Sequence, residues 1–361
     1  MSNRISEHFD SGFHDKKITF GLDGFVDEVW QVLSQRISLA DYKLFDKMYD
    51  FAKSVCDSGK GGYTTEVIRK RRSFGGFVSN TGNAAGRLDT NPTFVGMFGK
   101  EKIDPVFSKF AYNLVSISDP NSCLIFEFTD GKLMLPNIEA AMDFTWESLN
   151  AALPHEKLAQ VMDADIVAIG YWCHFPDFDN IITGLCDNFL INGRCGRVFF
   201  DFADIRKSDS GSLERTFNTL APLNEKIPMT LSVNEHEAGF LFSMMGRSFD
   251  WENPDEAEKN IQYVREKIGL DELIVHTPYF AAGSSAKEKT EIVMQRYCES
   301  PVITTGAGDN FNGGYLAASL GGTLTLSERL LVGNSTTSFY IRNGYSPDKN
   351  EMLDELRKYI S

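Results

Sequence analysis

The amino-acid sequence predicts an α/β fold: a mainly parallel β-sheet with helices on both faces, and a small flap appended to it. Three patterns carry that reading. Short apolar runs recur at 18–22, 93–98, 166–172, 198–202, 229–233 and 273–276. Most are apolar at nearly every position, as strands buried on both faces are. Helical patterns lie between them; within 255–268, Ala257, Ile261, Val264 and Ile268 fall on one stripe. Strand and helix in alternation imply a covered parallel sheet, whose ligands sit at the carboxyl ends of the strands.

Two stretches break this rhythm and mark the flap. Segments 122–129 and 132–136 flank Asp130 and Gly131, a pair suited to a type I′ hairpin turn. Segment 38–55 reads as a helix, with Leu39, Tyr42, Phe45, Met48, Ala52 and Val55 on one side. With no internal repeat or low-complexity linker, one domain over 1–361 is expected, with lid segments inserted at about 25–63 and 112–137.

Composition narrows the function. A chain of 361 residues, 42% apolar and 24% charged, can bury a full core without disulfide staples. Lys plus Arg number 36 and Asp plus Glu 50, a net charge of −14, which argues against nucleic acid or an anionic membrane as partner. A small phosphate ligand stays open, because backbone amides and a metal ion can hold it locally. Residues 1–10 are polar and no apolar run reaches membrane-spanning length, so neither a secretory signal nor a transmembrane helix is expected. The six cysteines are scattered without a C-x-x-C pair, which suits reduced thiols in a cytoplasm.

The most informative stretch runs Thr304-Thr305-Gly306-Ala307-Gly308-Asp309, followed by a helical pattern through Phe311, Tyr315 and Leu316. Gly306 and Gly308 allow a tight turn that exposes backbone N–H groups, and a helix N-terminus with free amides attracts anions. Asp309 there is an N-cap, or, beside a bound phosphate, an acceptor for the proton of an incoming hydroxyl. Gly313 and Gly314 lie inside the helix, where each costs about 1 kcal/mol relative to alanine, so a close approach by another group is expected.

On these residues the chain resembles the ribokinase (PfkB-type) carbohydrate kinase family, whose C-terminal signature is close to D-T-T-G-A-G-D-x-F-x-x-G. Its N-terminal signature resembles Gly75-Gly76-Phe77-Val78-Ser79-Asn80 with Ala84, Ala85 and Leu88, and its N-x-x-E resembles Asn234 to Glu237. The matches come in family order and span roughly residues 16–350. The resemblance implies a ribokinase-like three-layer αβα core with a lid, and ATP-dependent phosphorylation of a sugar or polyol hydroxyl. It implies Asp309 as general base and the amides of Gly306, Ala307, Gly308 and Asp309 as an anion hole. Asn234 and Glu237 would organise Mg²⁺; Asn234, Thr304, Thr305 and Asn334 would contact the nucleotide. Asp27, with Asp23 as second choice, would grip sugar hydroxyls, helped by amides at Gly75 and Gly76 and by Asn80. Asp201, Asp204 and Arg206 lie where some members contact substrate or nucleotide. A homodimer through the lid would also follow.

The chain departs from the family at three places. Ile303 stands where an acid usually helps hold a monovalent cation. Thr277-Pro278-Tyr279 replaces a glycine-bearing turn, and the stretch between Asp27 and Gly75 is longer than usual. A nucleoside or other hydroxylated metabolite as acceptor, ADP as donor, and a non-catalytic binding paralogue are the competing readings.

Overall fold

A computed structural model describes residues 2–360 except 12 and 14. Among the described residues, fourteen strands form two sheets. In chain order they are β1 (Ile18–Leu22), β2 (Phe25–Arg36), β3 (Tyr42–Leu44), β4 (Val67–Gly75), β5 (Thr93–Met97), β6 (Asn113–Ser118) and β7 (Asn121–Phe128). Then follow β8 (Gly131–Asn137), β9 (Ile166–Gly170), β10 (Arg197–Asp201), β11 (Met229–Asn234), β12 (Glu272–His276), β13 (Phe280–Ser285) and β14 (Glu291–Met294).

The large sheet has the order β14-β13-β12-β11-β10-β9-β1-β5-β6, parallel from β12 to β6, with β13 and β14 added antiparallel. β1 and β9 are buried at every position, as the unbroken apolar runs require. Helices His155–Met162, Phe178–Leu185, Ser210–Asn224, Glu235–Met244 and Ala257–Ile268 cover one face. Helices Ser2–Ser11, Phe77–Gly86, Ala307–Ser319, Leu326–Asn343 and Lys349–Ile360 cover the other. This is the ribokinase-like three-layer αβα arrangement. No helix among the described residues is long and apolar enough to cross a membrane.

The small sheet runs β4-β2-β7-β8, with β3 on the far end of β2. Its extent differs from the expected segments. All of β4 belongs to it, so the first segment continues to Gly75, whereas β6 is the edge strand of the large sheet with Val115 and Ile117 in the core. The helix expected over 38–55 is also a different object. Asp41 closes a turn with Ile37 and Ser38, Tyr42–Leu44 pairs with β2, and only Met48–Asp57 is helical. Ser38 and Asp41 bond locally and break the helix before it starts; Leu39 is 98% exposed. The hairpin turns at Thr129 and Asp130, and Asp130 lacks the positive φ of a type I′ turn. Its carboxylate instead accepts from the Met48 amide at 2.6 Å and caps the Met48–Asp57 helix.

The two mid-helix glycines answer to close packing. A Cβ on Gly313 would lie 2.6 Å from Ala84 Cβ and 2.9 Å from the Thr81 carbonyl oxygen. One on Gly314 would lie 2.3 Å from Thr336 Oγ1 and 3.0 Å from the Val332 carbonyl oxygen. Helix Ala307–Ser319 is thereby wedged between Phe77–Gly86 and Leu326–Asn343. Gly313→Ala should lower stability by about 1–3 kcal/mol despite the better helix propensity of alanine, because backbone must move. Urea unfolding measures this, and an unchanged midpoint would contradict the wedge.

Candidate active site

The parallel strands deliver their polar residues to one end. Asp23 follows β1, Tyr171 follows β9, and Asp201, Asn234 and His276 close β10, β11 and β12. Helix Ala307–Ser319 starts over these ends. Its N-cap is Gly306, at φ +86°, and a Cβ there would lie 2.9 Å from the Tyr340 hydroxyl, so glycine is needed twice over. That hydroxyl donates to the Thr305 carbonyl at 2.7 Å, and Thr337 Oγ1 donates to the Ala307 carbonyl at 2.8 Å. The helix Leu326–Asn343 thus holds the turn.

A glycine N-cap has no side chain to occupy the first amides of the helix. Those of Gly306, Gly308 and Asp309 meet no acceptor among the described residues, whereas Ala307 N–H donates to the Thr304 carbonyl at 3.0 Å. Of the four amides expected to form an anion hole, Ala307 is therefore engaged in shaping the turn.

Three spaces meet at this turn. A cleft of 530 Å³ is walled by Trp251, Thr277, Tyr279, Tyr297, Phe311 and Asn334. A second, also 530 Å³, lies under the small sheet and includes Asp27, Asn80, Arg71, Lys132 and Asn310. Between them is a 220 Å³ space with Asp201, Asp204, Asn234, Glu237 and Asp309. Thr304, Ala307 and Gly308 border the first and third, and Gly306 borders the second and third. A further depression, of 810 Å³ beside β6, shares no lining residue with them.

Asp309 is 8% exposed. Its Oδ1 accepts from Thr81 Oγ1 at 2.8 Å and Tyr171 OH at 3.1 Å, and Oδ2 has a 3.4 Å contact with Asn80 Nδ2. Burial pushes its carboxyl up to about 6, against the pull of those donors. Burial and the Asp309 charge push Asp201 up to about 7; Asn312 Nδ2 holds it at 2.9 Å. His276, beside Gly308, is pushed down to about 4 by burial and stays neutral.

The sugar-side expectations divide. Asp27 borders the second cleft, and burial raises its carboxyl to about 6 although Arg71 and Lys132 pull it down. Asp23 is fully buried and accepts from the Phe77 and Val78 amides at 2.8 and 2.9 Å, so it anchors the helix Phe77–Gly86. The glycine pair makes room for these acids rather than lining the cleft. A Cβ on Gly75 would lie 2.5 Å from Asp27 Oδ2, and one on Gly76 2.5 Å from Asp23 Oδ2. Thr305 borders the second cleft, not the first, while Thr304 and Asn334 border the first.

Asn234 and Glu237 form a capping box. Asn234 Oδ1 accepts from the His236 and Glu237 amides, and Glu237 Oε2 accepts from the Asn234 amide at 3.0 Å. Burial and the Asp201 charge raise the Glu237 carboxyl well above the usual range. No group of three or more His, Cys, Asp or Glu among the described residues could hold a metal alone. Hard carboxylate oxygens facing a small polar space do fit an Mg²⁺ that keeps its waters and takes its other ligands from phosphates.

A family model described as Prokaryotic ketohexokinase matches residues 2–359. The chain belongs to the prokaryotic ketohexokinase family. It is a carbohydrate kinase, a phosphotransferase with an alcohol acceptor. It is 27% identical over 363 residues to a ketohexokinase of Haloferax volcanii, covering 99% of this chain and 93% of that protein. Solved structures share the fold at lower identity. Phosphofructokinase-2 from Escherichia coli, in complex with substrates and products, aligns at TM-score 0.65 and 14% identity over 96% of this chain and all of that one. A putative ribokinase II from E. coli, in complex with ATP and Mg²⁺, aligns at TM-score 0.62 and 16% identity over 96% and 99%.

Sequence reasoning missed Thr81 and Tyr171 on the carboxylate, and the aromatic wall of Trp251, Tyr279 and Tyr297. The only available signal was position: Tyr171 directly follows a buried strand, and Tyr279 follows another. Gly76→Ala tests the structural account of the glycine pair. With φ at +87° and Asp23 in the way, the variant should lose about 1–3 kcal/mol of stability. Thermal melting checks it; full stability with weakened sugar binding would restore the reading of a bare amide on substrate.

Proposed function

We propose that this chain transfers the γ-phosphoryl group of ATP to a hydroxyl of a ketohexose or similar polyol, with Asp309 as general base. The observation that carries this is a buried carboxylate at an uncapped helix N-terminus, where two large clefts meet through a small acidic space. The adenine belongs in the aromatic-walled cleft, where the buried Asn334 keeps an unpartnered Oδ1. That acceptor suits the amino group of adenine. The sugar belongs under the small sheet, where Asp27 and Asn80 supply groups for vicinal hydroxyls.

The chemistry then follows from the residues. Asp309 accepts the proton of the acceptor hydroxyl as its oxygen bonds to phosphorus and the bond to the ADP leaving group breaks. The free amides of Gly306, Gly308 and Asp309 face the charge that builds on the phosphoryl oxygens. Asn234, Glu237 and Asp201 would hold hydrated Mg²⁺, which supplies positive charge to the phosphates. Closure of the small sheet would exclude water from the phosphoryl group.

Asp309→Asn should keep the fold and nucleotide binding yet lose about 10²–10⁴-fold in kcat, read as ADP release from MgATP with D-fructose and a panel of sugars and nucleosides. Full turnover in that variant would overturn the assignment of the base, and ADP consumption in place of ATP would overturn the donor. The base works deprotonated, so kcat/KM should rise with pH through about 6. Asp27 titrates in the same range and steepens the limb. An activity flat down to pH 5 would contradict this.

A further inference from the structure

The hydrogen bonds on Asp309 are unequal, and that inequality has a use. Thr81 Oγ1 and Tyr171 OH both donate to Oδ1, at 2.8 and 3.1 Å, while Oδ2 keeps only the long contact to Asn80. Resting on the reading of Asp309 as base, we propose that Thr81 and Tyr171 are positioning residues that pin Oδ1 and leave Oδ2 to take the acceptor proton.

Each donor is itself held. Thr81 is fully buried in the helix Phe77–Gly86, where a threonine hydroxyl ordinarily bonds back to its own helix. Here it is spent on a carboxylate of a different helix. It reaches that carboxylate because Gly313 brings the two helices together, a Cβ at 313 falling 2.9 Å from the Thr81 carbonyl oxygen. The Tyr171 ring lies edge-on to Phe77, centroids 6.0 Å apart, and edge-on to His174 at 5.6 Å. Its hydroxyl therefore has a fixed origin on the strand-end side. Two donors from separate core elements define the carboxylate plane, which one donor cannot do.

The surroundings explain why neutral donors serve. Asp309 faces Asp201 from the end of β10, Asp23 from between β1 and β2, Asp27 from β2, and Tyr340 from the helix Leu326–Asn343. His276 flanks Gly308 and is neutral, and Arg71 on β4 acts on Asp27 and Tyr340. A cation bonded to Oδ1 would weaken the base. Two hydroxyls hold it with a smaller downward pull, and Tyr171, its phenol raised well above 10 by burial and the neighbouring acids, stays a donor throughout the working range.

The test uses Tyr171→Phe, Thr81→Val and the conservative Thr81→Ser beside Asp309→Asn, each checked by thermal melting. Turnover is followed with MgATP and D-fructose, or whichever panel sugar is turned over fastest. Tyr171→Phe and Thr81→Val should each cost about tenfold or more in kcat with KM within about twofold. The acid limb of kcat/KM should move to higher pH, since a donor that lowers the Asp309 carboxyl is gone. Thr81→Ser should restore both. Wild-type kcat and an unmoved limb in Tyr171→Phe and Thr81→Val, with Asp309→Asn inert, would overturn the positioning role and leave the base in place. Turnover in Asp309→Asn would overturn both.

Discussion

The site depends on how closely the helix Ala307–Ser319 approaches its two neighbours. Gly313 and Gly314 remove the side chains that would hold the helices apart, and Gly333 on Leu326–Asn343 gives room to Phe311, a Cβ there falling 2.7 Å from the ring. Close packing of this kind has little give, because protein interiors are as dense as organic crystals. The helix start is consequently fixed relative to the strand ends. That packing sets the spacing of its uncapped amides, its carboxylate and the Thr81 hydroxyl.

Electrostatics add a second constraint. Asp23, Asp27, Asp201, Glu237 and Asp309 gather at one end of the sheet, and burial raises every one of these carboxyls. Such a cluster works against stability unless protons or a cation relieve it. An Mg²⁺-bearing nucleotide would do so, at the helix terminus that favours its phosphates. Functional groups with pKa values moved towards neutrality are what proton transfer near pH 7 requires.

Much of this was legible in the sequence, and the rest was not for identifiable reasons. The unbroken apolar runs read as buried strands, and the glycine turn before Asp309 reads as a tight helix entry. The glycines at 75 and 76 were visible, but not what they avoid, since Asp23 and Asp27 are some 50 residues away in the chain. Two nearby aspartates look alike in sequence; burial under two amides makes Asp23 an anchor, whereas Asp27 borders the cleft. The 38–55 segment misled because its apolar spacing fits a helix, while Ser38 and Asp41 hydrogen-bond into a turn that periodicity does not register. Tyr171 and Thr81 carry no motif at all.

On the proposed reading, the turn at 306–309 would bring a phosphate and an alcohol together across one carboxylate. A crystal structure with Mg²⁺, a non-hydrolysable ATP analogue and the acceptor sugar tests it most directly. The γ-phosphate should rest on the amides of Gly308 and Asp309, with one sugar hydroxyl about 2.6–3.2 Å from the Asp309 carboxylate. Nucleotide or sugar seated in the depression beside β6, with Asp309 touching neither, would contradict the account.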